Sequence, residues 1–172
     1  MLIKNNKIPS KRRLEELLID YLVIALYLFL LFILALGVYF AFLKRIPEFT
    51  EFQTQFIAIF FSVIPIILIF SYLDYRKGTL GKRMAGLELV FKEKTFGKSL
   101  LRNILKFFPW QLGHMATIHG VYSNYDILAI LLSIISISLM ILYLLMAFFR
   151  EDKRHLPDLI AGTQVQLEEK SV

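Results

Sequence analysis

Two stretches of 23 residues without a formal charge, Tyr21–Leu43 and Ile127–Phe149, constrain the fold of this chain more than any other feature. At a rise of about 1.5 Å per residue, each is long enough for a helix that crosses the hydrocarbon core of a bilayer, about 30 Å thick. A third apolar run, of 18 residues, covers Phe56–Leu73 and contains Pro65, which predicts a kink. The chain is therefore expected to be a helical membrane protein.

The composition agrees with this assignment. Hydrophobic residues make up 57% of the 172 residues and charged residues only 20%, whereas about half of an ordinary soluble domain is apolar. Residues 41–45 do not form a small-residue cleavage site, so the first helix is expected to be retained rather than removed as a signal peptide. The lack of cysteine excludes disulfides, thiolate zinc sites and thiol nucleophiles. The length fits a single domain, residues 1–172.

The segment Asn103–Tyr125 decides how many helices cross the membrane. It is also 23 residues long, but it carries Lys106 and two histidines, and hydropathy alone would place it at the membrane interface. Lysine and arginine concentrate in cytoplasmic loops. With four spans and both termini in the cytoplasm, 16 Lys and Arg residues lie on that side and two, Lys44 and Arg45, on the other; with three spans the counts are 14 and six. The sequence therefore predicts four spans, at about residues 17–43, 53–73, 102–122 and 126–149.

Two short segments have the pattern of β-strands. They are Leu87–Lys92 and Gln164–Glu168, and each follows an Ala-Gly pair. An isolated short strand is unstable in water, so the two are expected to pair, which requires both to lie on the same side of the membrane. The alternative is that both are frayed tails. The predicted fold is an all-α membrane protein, a four-helix transmembrane bundle with a small cytoplasmic two-stranded β element.

Arg13 and Asp20 place opposite charges at the start of the first helix. They are seven residues apart, which puts both on one helix face, about 10 Å apart along the axis. A carboxylate in the hydrocarbon costs about 2.5–3.5 kcal/mol on insertion scales, so such residues usually face the bundle and have a partner. The alternative is that Asp20 reaches water at the interface, because it precedes the uninterrupted apolar run.

The third predicted helix has one polar face. A projection at about 100° per residue places eight side chains within an arc of about 140°; they are Arg102, Asn103, Lys106, Pro109, Trp110, Gly113, His114 and Thr117. Arg102 and Lys106 need compensation inside the bundle, and Asp20 is the candidate counter-charge. This interpretation predicts a wet cavity for an ion or an anionic group. The alternative is an interfacial helix whose Lys106 extends to the lipid headgroups.

Several classes of site are disfavoured by the sequence. His114 and His119 lack the i, i+4 spacing of a helical metal pair and have no nearby carboxylate pair, so no metal is expected. The glycines of Gly78–Arg83 are too close together for a phosphate loop, and no Ser or Thr follows the lysine. No catalytic motif is present, so the chain is not expected to be an enzyme or to hold a cofactor. The net charge of +6 brackets the apolar runs, which indicates an anionic lipid bilayer rather than nucleic acid as partner.

Three motifs surround the apolar runs in a recognisable order. They are Arg13–Asp20 at the first helix, Thr79–Arg83 followed by Gly86 in the central loop, and Leu156–Thr163 after the last helix, with Arg102-Asn103 opening the third hydrophobic segment. With these motifs the chain resembles, over nearly its whole length, the RDD family of bacterial membrane proteins, named for one arginine and two aspartates. The resemblance matches Asp20 to the first aspartate and Asp158 to the second.

The resemblance implies a membrane-embedded domain in which the arginine and the two aspartates form a polar cluster at the inner membrane face. The acidic pair Glu15-Glu16 departs from the family pattern and leaves open whether Asp20 is the only acid near Arg13. Together with the polar helix face, the candidate ligand- or ion-binding residues are Arg13, Asp20, Arg102, Lys106, His114 and Asp158.

Two functions remain open from the sequence. The first is transport of an ion or small ligand across the bacterial inner (plasma) membrane through the polar site. Because four helices are few for alternating access, transport requires a homo-oligomer or a partner membrane protein. The second is a non-transporting accessory or regulatory subunit of another membrane complex, in which the charged cluster only closes the bundle. In both, the chain is a multi-pass protein with cytoplasmic termini.

Overall fold

The computed structural model describes residues 1–44, 47–76 and 78–168, which are mostly helical. The α-helices are α1 (Ser10–Val38), α2 (Glu51–Ile57), α3 (Ile64–Arg76), α4 (Leu80–Met84), α5 (Phe96–Ser123), α6 (Ile127–Phe149) and α7 (Leu156–Ala161). Two strands complete the fold, β1 (Leu87–Phe91) and β2 (Thr163–Leu167). A π-helical turn, Tyr39–Leu43, extends α1, and a π-helical segment, Ala58–Val63, joins α2 to α3.

Three helical stretches in the described part of the chain are long and apolar enough to cross a membrane. They are Ser10–Phe42, Glu51–Met84 and Ile127–Phe149. The large apolar side chains of α1 and α6 are mostly exposed, as is typical of helices that face lipid. The third predicted span, at about residues 102–122, corresponds to α5, a continuous helix of 28 residues. Because α5 carries charged and polar side chains, it is not one of the three apolar stretches, and its crossing of the membrane stays a prediction.

Pro65, where the sequence predicts a kink, lies at the start of α3, directly after the π-helical segment Ala58–Val63. Proline removes one backbone donor, so the carbonyl four residues earlier, that of Phe61, loses its helical partner. The hydroxyl of Tyr27 on α1 donates a hydrogen bond to that carbonyl. The Phe61 carbonyl therefore links α1 to the π-helical segment before Pro65 through this hydrogen bond.

The two strands pair antiparallel, with Leu87 opposite Leu167 and Phe91 opposite Thr163, which confirms the predicted pairing. Residues from both strands and from the segment before α1 form a small apolar cluster made of Ile8, Ala85, Leu87, Leu89 and Val165. The segment before α1 also bonds to β2, because Asn6 donates its side-chain amide to the Val165 carbonyl at 2.7 Å. The first and last parts of the chain are therefore held together.

A second apolar cluster joins the long helices. Ile66 and Phe70 of α3 pack against Phe107 of α5, and the rings of Phe70 and Phe107 meet edge-on with centroids 5.2 Å apart. Tyr27 and Leu28 of α1 pack against the same cluster. The helix α5 is central, since it contacts α2, α3, α6 and α7. A layer of buried polar side chains is located where the long helices meet the sheet.

Candidate functional site

The polar layer contains eight charged side chains from five helices. They are Arg13, Glu16 and Asp20 of α1, Asp74 of α3, Lys82 of α4, Arg102 and Lys106 of α5, and Asp158 of α7. We call these eight residues the charge layer. All except Lys106 are buried. Four cations face four carboxylates, so the formal charges of the layer balance, as a group removed from water requires.

Ion pairs of alternating sign connect six of these residues in one series. The pairs are Arg13–Glu16 at 2.8 Å, Glu16–Lys82 at 3.2 Å, Lys82–Asp74 at 3.0 Å, Asp74–Arg102 at 2.7 Å and Arg102–Asp158 at 2.6 Å. Lys82 and Arg102 each pair with two carboxylates, and the two pairs of Arg102 are the shortest of the series, with Nη1 donating to Asp74 and Nε donating to Asp158. The series thereby joins the starts of α1 and α5 to the end of α3 and to α7.

The remaining pair, Asp20 and Lys106, is looser. The ammonium of Lys106 lies 4.0 Å from Oδ2 of Asp20, which makes this the longest ion pair of the charge layer. The side chain of Lys106 is 18% exposed, and its ammonium lies over the rings of Phe70 and Phe107 at 5.1 and 5.3 Å. Such contacts are favourable for a cation but leave it without the tight carboxylate partner that Arg102 has.

The motif Thr79–Arg83 explains why Asp20 is held in place. The short helix α4 begins after Thr79, whose hydroxyl caps the helix and donates to Asp20 at 2.8 Å. The backbone N–H of Gly81 donates to the other carboxylate oxygen at 2.9 Å. A Cβ at Gly81 would lie only 2.3 Å from the backbone carbonyl oxygen of Glu16, so glycine is required for α4 to approach α1 this closely.

His155 and Asp158 form the part of the site that lies beyond the long helices. The side chain of His155 caps α7, and its Nδ1 lies 3.0 Å from Oδ2 of Asp158. Burial lowers the pKa of His155, although the neighbouring carboxylate acts in the opposite direction. Burial alone would raise the pKa of Asp158, but the Arg102 guanidinium holds it well below its ordinary value. Asp158 is therefore an anion that Arg102 neutralises, beside a neutral imidazole.

The structure brings most of the sequence-predicted residues together. Arg13, Asp20 and Asp158 all lie in the charge layer, although none of the three forms an ion pair with another. Arg13 instead pairs with Glu16 and donates to the Lys153 carbonyl at 3.1 Å, so Asp20 is not the acid nearest to it.

The predicted counter-charge of the third helix is partly wrong. Asp20 pairs with Lys106, as expected, but not with Arg102, whose carboxylate partners are Asp74 and Asp158. The reason is that Asp20 projects from α1 towards α4, whereas Arg102 faces α3 and α7. His114 lies two helical turns beyond Lys106, where its ring meets Trp110 with centroids 4.8 Å apart, and it does not belong to the charge layer. Ligand binding by these residues stays a prediction.

Glu16, Asp74 and Lys82 are the members of the charge layer that sequence reasoning did not assign to the site. Asp74 is the first charged residue after the apolar run Phe56–Leu73, so it was interpreted as the boundary of that run. It is held by Lys82, Arg102 and the side-chain amide of Asn103, which donates at 3.1 Å. The sequence did contain a signal for this pair. Asp74 and Lys82 are only eight residues apart, and Thr79 between them is a helix-capping residue type, so a turn there could bring the two charges together.

Comparison with known families supports the resemblance stated above. The model of the RDD family matches residues 10–162, a range that contains all eight members of the charge layer. Comparison with curated proteins and with solved structures gave no match. Because the family match covers most of the chain, this protein belongs to the RDD family.

Proposed function

We propose that the protein crosses the bacterial inner membrane four times, with both termini in the cytoplasm. The arrangement of the charge layer supports this topology. The helices α1 and α5 begin at the layer, and α3 ends there. The short helix α7, which carries Asp158 of the layer, follows the end of α6, so α6 also ends near the layer. The long helices thus run alternately away from the layer and back to it. The same end of the molecule carries the cationic loops, as expected of a cytoplasmic face.

Reporter fusions test this topology at the helix on which it depends. We expect a reporter fused after Asn124, between α5 and α6, to be external, and one fused after residue 172 to be cytoplasmic. A fusion in the loop that follows residue 47 serves as an external reference, because it lies outside whether α5 spans or not. If the fusion after Asn124 were on the cytoplasmic side while the 172 fusion is external, α5 would not cross the membrane.

We propose further that the protein transports a monovalent cation in exchange for protons, with Asp20 and Lys106 as the exchange site. The observation that carries this proposal is the 4.0 Å separation of a buried carboxylate from a partly exposed ammonium. A cation that binds Asp20 displaces the Lys106 ammonium, which then releases a proton to become a neutral amine. The formal charge at the site is the same before and after, so the exchange leaves no unpaired buried charge.

Arg102 is unsuited to the same role. A guanidinium stays protonated in proteins, and this one has two carboxylate partners within 2.7 Å. The tight series of ion pairs therefore closes the ends of the helices, and the exchange is confined to the loose pair. Because four helices are few for alternating access, the proposed transporter assembles as a homo-oligomer or with another membrane protein.

A flux assay tests the exchange site. In liposomes that hold the purified protein and an internal pH dye, an applied Na⁺ or K⁺ gradient should drive proton movement. The variants Asp20→Asn and Lys106→Met should lower this flux at least about tenfold, because each leaves one half of the exchange pair.

We expect Asp20→Asn also to lower the thermal stability in detergent, since Lys106 loses its counter-charge.

The chain offers a matched control on the same helix. Lys11 and Glu15 form an ion pair of the same 4.0 Å length, but the lysine side chain is 87% exposed. Neutralising both should leave the flux unchanged. A wild-type protein without flux would contradict the exchange proposal. Absence of flux together with a co-purified membrane partner would favour the accessory function. The tight ion pairs agree with that alternative, because they neutralise the charges at the helix ends without any ligand.

A further inference from the structure

A cavity of about 780 Å³ is lined by residues around the two strands, α7 and the start of α5, and none of its lining residues belongs to the charge layer. Its cationic wall is made by Lys92 after β1, Lys98 in the first turn of α5 and Arg154 before α7. Its apolar lining comprises Met1, Leu2, Phe91, Leu159 and Ile160. The lining drawn from the described part of the chain includes no aspartate or glutamate, so its side chains carry three positive charges and no negative one, which favours an anionic ligand.

The cations are held in position by the fold. The guanidinium of Arg154 donates through Nε to the Thr163 carbonyl at 2.8 Å and through Nη2 to the Asp158 carbonyl at 2.9 Å. Three of its five N–H groups are left for a ligand. The backbone N–H of Lys92 donates to the Gly162 carbonyl at 2.9 Å, which fixes the base of this lysine at the cavity. Neither Lys92 nor Lys98 has an ion-pair partner within residues 1–44, 47–76 and 78–168.

The cavity lies where the exposed apolar surface of the long helices ends. Phe149, the last residue of α6, is 79% exposed and is followed at once by the polar segment that carries Arg154. On α5, the exposed Leu101 comes one turn after Lys98. Ile160 beside the cavity is 49% exposed. Cations beside an exposed apolar side chain at the end of a lipid-facing surface are at the depth of lipid headgroups.

We propose that this cavity binds the headgroup of an anionic phospholipid. The phosphate lies between Lys92, Lys98 and Arg154, and the first part of an acyl chain packs on Ile160. The volume suits a ligand of headgroup size. Guanidinium and ammonium donors bind phosphate oxygens by charge-assisted hydrogen bonds, and the fixed Arg154 provides the directional part of that recognition.

The test uses thermal unfolding of the full-length protein in a neutral detergent with added short-chain lipid. Dioctanoyl phosphatidylglycerol should stabilise the protein at a lower concentration than dioctanoyl phosphatidylcholine. The double variant Lys92→Gln/Lys98→Gln should raise the half-saturating concentration of phosphatidylglycerol about 20- to 30-fold, as expected for the loss of two lysines near the membrane surface. Lys92→Arg/Lys98→Arg should retain the wild-type value within about threefold.

A second double variant separates a built site from general surface charge. Lys11→Gln/Lys94→Gln removes the same net charge from two lysines that do not line the cavity, and its half-saturating concentration should stay within about twofold of the wild-type value. An equal loss in both double variants would overturn the proposal. So would equal stabilisation by inorganic phosphate at matched concentrations, because the ligand would then be a free anion rather than a lipid.

Discussion

Replacing Arg102 by methionine should destabilise this protein more than any other single change in the charge layer. The substitution keeps much of the buried volume, but it leaves Asp158 without its closest cation and leaves Asp74 with Lys82 and the side-chain amide of Asn103. Removing one partner of a buried ion pair typically costs about 3–5 kcal/mol, because the other charge stays buried and unpaired. The measurement is the unfolding temperature of the purified protein in detergent, together with the yield of folded protein.

Arg150 provides the control for this prediction. Its ion pair with Asp152 is 3.0 Å long, but its side chain is 44% exposed, so Arg150→Met should cost no more than about 1 kcal/mol. The combination Arg102→Met/Asp158→Asn should be more stable than Arg102→Met alone, because it removes the carboxylate that would be left unpaired. Equal unfolding temperatures for Arg102→Met and Arg150→Met would show that the buried series contributes nothing.

The second large effect is expected from a single methyl group at Gly81. In Gly81→Ala the new Cβ would lie 2.3 Å from the Glu16 carbonyl oxygen and 2.7 Å from a carboxylate oxygen of Asp20. The carbonyl belongs to the backbone of α1, so it cannot turn away, and α4 must separate from α1. We expect a loss of about 3 kcal/mol in stability from this overpacking, and loss of the flux that depends on Asp20.

Gly97 is the matched position for this experiment. It also lies near the start of a helix, but a Cβ there would meet nothing within 4 Å. Gly97→Ala should therefore stabilise the protein by about 0.5–1 kcal/mol, because alanine loses less conformational freedom in a helix. Destabilisation of similar size at both positions would contradict the close approach of α4 to α1.

The sequence was most informative about features that depend only on the order of residues along the chain. A bilayer fixes the length of an apolar helix, so runs such as Ile127–Phe149 could be located by counting uncharged residues. The α6 helix has the bounds of that run. The strands could be found from their residue pattern, and their pairing followed from the instability of a lone strand.

The partners of the buried charges could not be obtained by counting. Helical periodicity places Arg102 and Lys106 on one face of α5, but it does not say which neighbouring helix that face meets. The choice between Asp20 and Asp74 as the partner of Arg102 depends on how α3 packs on α5, for example through Phe70 and Phe107. Sequence reasoning selected the aspartate inside the family motif and passed over the one at the end of an apolar run.

The ion pairs of the charge layer also have a consequence for protein synthesis, because their partners are far apart in the sequence. Arg102 and its partner Asp158 are separated by 56 residues, and Arg13 donates to a carbonyl 140 residues later in the chain. At about 5–20 residues per second, the ribosome needs about 3–11 s after adding Arg102 before it adds Asp158. During that interval α5 carries a guanidinium that lacks one of its two carboxylates. The buried series of ion pairs can therefore close only after Asp158 has been synthesised, when the whole of α6 already exists.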